Sequence, residues 1–265
     1  MDYVVIGGDE RYVQLARLLK RRGKRVGLWG REPVPGIPAV EDGEPEASGC
    51  LIAGCPARVK NGLLSPEMLL ERMGEDAKLA LCGPKHPAME DDRVIDLWSD
   101  EALIRENAGL TAEGAISAAM RASTRAMCDM HCLVIGWGRI GRSLTERLAA
   151  LNSTVTVASR RPQGRNGAVE RGAEAVDTRA VADAISGFDL IFNTAPELVL
   201  GEEALGRVDR DAMIIDLASP PYGVDLSAAW KLGLRAWREP GLPGRYCPES
   251  AAMALLRSMV RQGIL

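Results

Sequence analysis

Short apolar runs separated by polar stretches of helical period recur along the whole chain. In the second half the runs lie at 132–135, 155–158, 172–176, 190–193, 212–216 and 234–237. Each has strand length and none shows a strict apolar–polar alternation, so both faces of each strand are predicted to be covered. Helical spacing intervenes: Ile140, Leu144, Leu148 and Leu151 repeat from about 139 onward, and 179–185 and 226–231 read as further helices. The first half repeats the alternation less regularly. Strands are predicted at 3–6, 25–29, 51–53, 79–81 and 94–97, with a helix over 12–19 that gathers Val13, Ala16 and Leu19. Strands alternating with helices imply parallel sheets covered on both faces. Residues 31–48, rich in Pro, Gly and Glu, read as a surface loop.

Two helices frame this pattern. One is predicted over 111–127, with Ala112, Gly114, Ala115, Ala118 and Ala119 and with Thr111 as its N-cap. The other, over 249–261, carries Met253, Leu255, Leu256, Met259 and Val260. The expected fold is therefore α/β: two Rossmann-like parallel-sheet domains with a cleft between, joined by a hinge helix and a returning C-terminal helix. Residues 1–127, completed by 248–265, form the first expected domain, and 128–247 the second.

Candidate chemistry enters at Gly136-Trp137-Gly138-Arg139-Ile140-Gly141. This G-x-G-x-x-G lies between a predicted strand and a predicted helix, which is the context that gives the motif meaning. The first glycine permits the tight turn and the second the approach of a pyrophosphate. The third lets helix and strand pack, so that the free N–H groups of the helix start face the phosphates. An NAD site carries an acid at the end of the next strand, about 20 residues on, for the ribose 2′-OH. Here that strand ends in Ser159-Arg160-Arg161. A hydroxyl and two guanidinium groups suit a 2′-phosphate, which an acid would repel, so NADP is the expected cofactor. The later strands end in Asn193-Thr194-Ala195-Pro196 and Asp216-Leu217-Ala218-Ser219, small and polar residues where the nicotinamide is expected. The early turn Gly7-Gly8-Asp9-Glu10-Arg11 imitates a dinucleotide turn, but its third glycine is missing and its acids would repel a pyrophosphate.

Composition removes other classes. With 265 residues the chain can bury real cores in two domains. A net charge of −3 argues against a nucleic-acid groove or an anionic membrane as main partner. No basic-then-apolar start and no apolar stretch near 18 residues is present, so a soluble, cytoplasmic protein is expected. Six cysteines, at 50, 55, 82, 128, 132 and 247, form no disulfide framework and read as reduced thiols. Cys128-Asp129-Met130-His131-Cys132 has no second cluster to complete a coordination shell, and no metal is expected.

Taken together, these features give a chain that resembles the dipicolinate synthase A-subunit family. The resemblance is carried by Ile6-Gly7-Gly8-Asp9-Glu10-Arg11, Leu110-Thr111-Ala112-Glu113-Gly114, the glycine hexapeptide, Asn193 to Pro196, Asp216 to Ser219, and Pro240-Gly241-Leu242-Pro243-Gly244. It implies NADP-dependent oxidation of the dihydrodipicolinate formed from 4-hydroxy-tetrahydrodipicolinate, in the mother cell of a sporulating bacterium. It also implies the flavoprotein-like B-subunit of dipicolinate synthase as partner, within a homo- or hetero-oligomer. Departures from the family pattern fall at Pro220-Pro221-Tyr222, where a basic residue and glycines are commoner, and at Glu249-Ser250-Ala251-Ala252.

A dianionic ring substrate needs cationic or N–H-rich pockets and a base for the ring proton. Candidate carboxylate binders are Arg11, Lys85, Arg245 and Thr111 with the N–H groups that follow it. Candidate proton acceptors are Asp9 and Glu113, with His86 behind them. Cofactor contacts are expected from Gly136, Gly138, Arg139, Ile140, Gly141, Ser159, Arg160, Arg161, Asn193, Thr194, Ala195, Leu217, Ala218 and Ser219. Two other readings stay open: an NADP-dependent dehydrogenase of another small carboxylate, and a non-catalytic NADP-binding partner subunit.

Overall fold

The computed structural model describes residues 1–40 and 49–265. The chain divides into two compact units, Met1–Asn107 with Pro243–Leu265, and Ala108–Leu242. The first contains β1 (Tyr3–Ile6), α1 (Glu10–Arg21), β2 (Val26–Trp29), β3 (Cys50–Gly54), β4 (Ala57–Val59), β5 (Gly62–Leu64), α2 (Pro66–Leu70), β6 (Lys78–Cys82) and β7 (Val94–Asp96). A long helix, α3 (Glu101–Ala122), runs through the division. The second unit continues with β8 (His131–Ile135), α4 (Arg139–Ala150), β9 (Thr154–Ala158), α5 (Pro162–Val169), β10 (Glu174–Val176), α6 (Val181–Ala184), β11 (Leu190–Asn193), α7 (Glu202–Leu205), β12 (Met213–Asp216), α8 (Leu226–Lys231) and β13 (Arg235–Arg238). The short α9 (Leu242–Tyr246) and α10 (Pro248–Arg261) then return to the first unit.

In the first unit a parallel sheet has the order β2-β1-β3-β6-β7 among the described residues. Val4, Val5 and Ile6 are buried on both sides of it, as the unbroken apolar run requires. One face packs against α1 and α10, where Leu15 and Leu19 share a core with Leu255, Leu256 and Met259. Burying a side chain of this size contributes about 1.5–3 kcal/mol, so the C-terminal helix is a structural part of this unit. Leu69, Met73 and Ala57 cover the other face. Of the loop expected over 31–48, residues 31–40 make the bridge Leu28↔Ala39 to β2 and the bridge Val34↔Ile37 within the loop, while 41–48 lie outside the described residues.

The second unit holds a parallel sheet of order β10-β9-β8-β11-β12-β13, whose direction of growth reverses between β8 and β11. Its carboxyl edge is in register: Ile135 pairs with Asn193, Asn193 with Asp216, and Asp216 with Arg238. Ligands of open parallel sheets bind beyond that edge.

One helix differs from expectation in a way that touches the site. The helix predicted to begin at Thr111 begins at Glu101, with the Asp100 carboxylate accepting a hydrogen bond from the Ala102 N–H at 2.9 Å. Thr111 is therefore mid-helix and buried, not an N-cap, and the amides after it belong to the helical ladder. The helix also crosses the unit boundary at Asn107/Ala108, where the division was expected at 127/128. Beyond that point it packs on α4, with Gly109 and Glu113 both against the Arg147 guanidinium.

Candidate functional site

The glycine turn after β8 opens on a pocket of about 580 Å³, lined by residues of the second unit. Its floor is Gly136, Trp137 and Gly138, and one wall is Ser159, Arg160 and Arg161 from the end of β9. Thr194, Ala195, Pro196 and Glu197, after β11, form the opposite wall. The three glycines have separate duties. Gly136 has φ +103°, and a Cβ there would lie 2.4 Å from Thr194 Oγ1. A Cβ on Gly141 would lie 2.0 Å from the Gly136 carbonyl oxygen, so these two positions close the turn against the sheet. Gly138 is the N-cap of α4 without a side-chain cap, and a Cβ there meets no protein atom within 4 Å. The helix start thus offers uncapped N–H groups to the pocket, which fits a pyrophosphate.

Trp137 fixes the neighbouring helix. The Arg142 and Arg171 guanidinium groups lie 5.7 and 5.6 Å from its ring centre. Gly167 of α5 packs so closely that a Cβ would sit 3.0 Å from the indole nitrogen. Gly164 allows the same approach to Ser159, whose Oγ would be 2.3 Å from a Cβ. Arg165 then ties the strand-end loop in place. Its Nη1 donates to the Ser159 carbonyl at 2.7 Å, to the Arg160 carbonyl at 2.9 Å and to Asp177 at 3.0 Å. Hydrogen bonds from the Arg179 side chain and N–H hold the Asp177 carboxyl well below the usual carboxylate range.

The pocket lining has three cations, Arg142, Arg160 and Arg161, against one carboxylate, Glu197. Glu197 pairs with Arg160 at 2.8 Å, from one wall to the other. Glu197 escapes a reading of the sequence, because nothing in its spacing links it to the end of β9. Arg139, Ile140, Leu217, Ala218 and Ser219 do not line this pocket. Asn193 is fully buried: its Nδ2 donates to Asp216 at 2.8 Å and to the Ala195 carbonyl at 3.1 Å. Its side chain therefore shapes the loop that follows β11 and cannot itself touch a cofactor. Thr194 fastens the same loop to β8 by donating to the Ile135 carbonyl at 2.9 Å.

At the far end of the carboxyl edge, Asp216 is buried and accepts from Asn193, the Ala218 N–H and Arg238 Nε. The Arg238 guanidinium carbon stands 3.5 Å from the centre of the Tyr222 ring. Tyr222 has φ +71°, a conformation that favours glycine and costs a bulky residue roughly 1–3 kcal/mol. This is one of the positions at which the chain departs from the family pattern, and here the side chain stacks on an arginine.

The other predicted site residues fall into separate groups. Asp9 caps α1 and grips Arg11, which donates through Nε at 2.8 Å and Nη2 at 2.9 Å, leaving Nη1 toward Asn107 at 3.4 Å. Burial opposes the Arg11 cation, but the Asp9 contacts outweigh it and its pKa is raised. Beside this pair, burial pushes the Cys82 thiol up to about 12 and raises the Tyr12 phenol well above its ordinary value. Glu113 pairs with Arg147 at 3.2 Å and does not line the pocket. Lys85 is exposed, and His86 lies 3.3 Å from Glu67. Arg245 is exposed on α9, 5.6 Å from the Tyr246 ring centre.

The glycine turn of the first unit contrasts with the second. The Gly8 N–H donates to the Arg58 carbonyl at 2.8 Å, and a Cβ on Gly7 would lie 1.9 Å from that oxygen. Protein backbone fills the place a phosphate would need. No described helix is long and apolar enough to cross a membrane.

Residues 103–220 match the family described as D-isomer specific 2-hydroxyacid dehydrogenase, NAD binding domain. The A-subunit of dipicolinate synthase from Bacillus subtilis (strain 168) is 25% identical, over 96% of this chain and 93% of that protein. The crystal structure of the dipicolinate synthase A-subunit from Bacillus halodurans superposes with a TM-score of 0.81 at 25% identity, covering 98% of this chain and 96% of the other. The transhydrogenase of Sinorhizobium meliloti shares the fold, with a TM-score of 0.71 at 14% identity over 98% and 93% of the two chains. The chain is similar to the dipicolinate synthase A-subunit along nearly its whole length, and residues 103–220, most of the second unit, match a nicotinamide-dinucleotide-binding domain of the dehydrogenase type, which supports a role as an oxidoreductase.

Proposed function

We propose that the protein oxidises dihydrodipicolinate, formed from 4-hydroxy-tetrahydrodipicolinate, to pyridine-2,6-dicarboxylate with NADP as oxidant. The observation that carries this reading is similarity to the dipicolinate synthase A-subunit along 96% of the chain. The end of β9 supports NADP over NAD: Ser159, Arg160 and Arg161 line the pocket and the strand end carries no acid. Bound nicotinamide supplies a hydride acceptor for a substrate that gives up a hydride and a proton and becomes aromatic. The protein's share of the work is then to hold two carboxylates, keep the ring in place and take the proton.

In this reading residues 108–242 hold the cofactor. Residues 1–107 with 243–265 supply carboxylate binders, Arg11, Lys85 and Arg245. Asp9 and Glu113 are the proposed proton acceptors. Each is already paired with an arginine, so each must loosen that pair to accept a proton. Thr111, enclosed in α3, contributes to substrate binding only through the packing of that helix. The cellular setting that follows is the cytoplasm of the mother cell of a sporulating bacterium, with the flavoprotein-like B-subunit of dipicolinate synthase as partner. A second reading, an NADP-dependent dehydrogenase of another small carboxylate, is favoured by the match of 103–220 to the 2-hydroxyacid dehydrogenase domain.

The purified chain, supplied with NADP and freshly generated dihydrodipicolinate, is expected to form NADPH and pyridine-2,6-dicarboxylate at equal rates. NADPH formation only with a 2-hydroxy acid supports the second reading. Cofactor binding without turnover of either overturns both in favour of a non-catalytic partner subunit.

A further inference from the structure

Two arginines stand at the carboxyl edges of the two sheets, and they differ in what their guanidinium groups have left to offer. Arg11 spends Nε and Nη2 on Asp9. Arg238 is engaged only at Nε, by a 3.4 Å contact to Asp216, and among the described residues no hydrogen bond engages its Nη groups. Asp216 divides its charge among Asn193, the Ala218 N–H and Arg238, so the arginine is anchored without being saturated. The Arg238 side chain is 29% exposed, and the Tyr222 ring lies under the guanidinium carbon at 3.5 Å. Stacked on a ring and tethered at one nitrogen, a guanidinium loses little freedom when its remaining N–H groups meet a carboxylate. The position agrees with this. Arg238 ends the row Ile135, Asn193, Asp216, Arg238, two strands or roughly 10 Å beyond β11, on the edge where parallel sheets take their ligands.

We infer that Arg238 is a substrate-binding residue that holds one carboxylate of the substrate, with Tyr222 and Asp216 as the groups that position it. The inference rests on the small-carboxylate reading given above. Its test is calorimetric titration of the NADP-saturated full chain with pyridine-2,6-dicarboxylate, pyridine-2-carboxylate and a 2-hydroxy acid. Arg238→Gln is expected to weaken the dicarboxylate about 30-fold, the loss of a charged hydrogen bond. It is also expected to shrink the preference for two carboxylates over one, which a purely structural arginine would leave intact. Arg238→Lys should recover part of the loss, and NADP affinity should stay within about twofold.

Removing Arg238 alone leaves the buried Asp216 charge without its cation and can cost folding. The Asp216→Asn/Arg238→Gln pair removes both charges, and it too is expected to bind the dicarboxylate weakly. Wild-type dicarboxylate affinity in either folded variant overturns the inference. Should the 2-hydroxy acid prove to be the ligand, and Arg238→Gln weaken it, the inference stands while the dicarboxylate reading falls. Binding of none of the three carboxylates to the wild type overturns both.

Discussion

Each sheet of this protein begins with a strand, a glycine turn and a helix, yet the two turns do opposite things. After β1 the turn is closed: the Arg58 carbonyl accepts from Gly8, Asp9 caps the helix with its own carboxylate, and that carboxylate also grips Arg11. After β8 the turn is open: Gly138 caps α4 without a side chain, and space faces it. Similar local sequences therefore give one turn sealed by the β4–β5 hairpin and one that leaves helix N–H groups available to an anion. The third glycine of the hexapeptide, Gly141, and the absence of any acid beside it separate the two.

The sharpest way to break this contrast is to place a methyl group in each turn. Gly7→Ala is expected to cost about 3 kcal/mol of stability, because φ is +52° and the new Cβ would meet the Arg58 oxygen at 1.9 Å. Gly138→Ala should leave the thermal midpoint near that of the wild type and weaken NADP on the order of 100-fold, since the methyl enters the space needed by the pyrophosphate. Denaturation and fluorescence titration of the two variants decide the matter. A Gly138→Ala protein that binds NADP normally would show the hexapeptide to be structural.

A second prediction concerns the wall of the open pocket. Arg160→Ala with Arg161→Ala should weaken NADP by roughly 10- to 30-fold, less than two enclosed charge contacts would give, because both side chains are exposed and screened by solvent. NAD affinity should hardly change. Equal affinity of the wild-type protein for NAD and NADP would end the assignment of these residues to a 2′-phosphate.

How far this contrast was visible in the sequence depends on the element. The strands of the two parallel sheets were legible as short runs, among which Leu190, Ile191 and Phe192 carry no polar interruption because both faces are covered. The open turn was legible for the same reason, since strand and helix flank it. That the first turn would not take a pyrophosphate was legible in its missing third glycine and its acids. What closes it was not, because Arg58 is 50 positions from Gly8 on a three-residue strand with no pattern of its own. The start of α3 was hidden by Gly109 and Thr111, which together imitate a break and a cap. Gly109 is instead a packing position, where a Cβ would sit 3.1 Å from the Arg147 guanidinium. The helix α5 was hidden by Pro162, Gly164 and Gly167. Its glycines answer to Trp137 and Ser159 across the pocket, a relation no local window contains.

The smallest expected effect concerns Glu197, the one carboxylate among the described residues lining the open pocket. Its pair with Arg160 spans the two walls at 2.8 Å, with side chains 42% and 63% exposed. An exposed pair of this kind contributes about 0.2–1 kcal/mol, so it does little for stability. Its charge matters more to the ligand: a 2′-phosphate that engages Arg160 must displace Glu197 and tolerate it nearby. Glu197→Gln removes that competition, and NADP is expected to bind about 2- to 5-fold more tightly at low salt, with the gain fading as ionic strength rises. NAD, which has no 2′-phosphate, should bind as before. A fall in NAD affinity would instead mean that Glu197 supplies from the far wall the ribose contact that the end of β9 lacks, and the pocket would then be built for NAD.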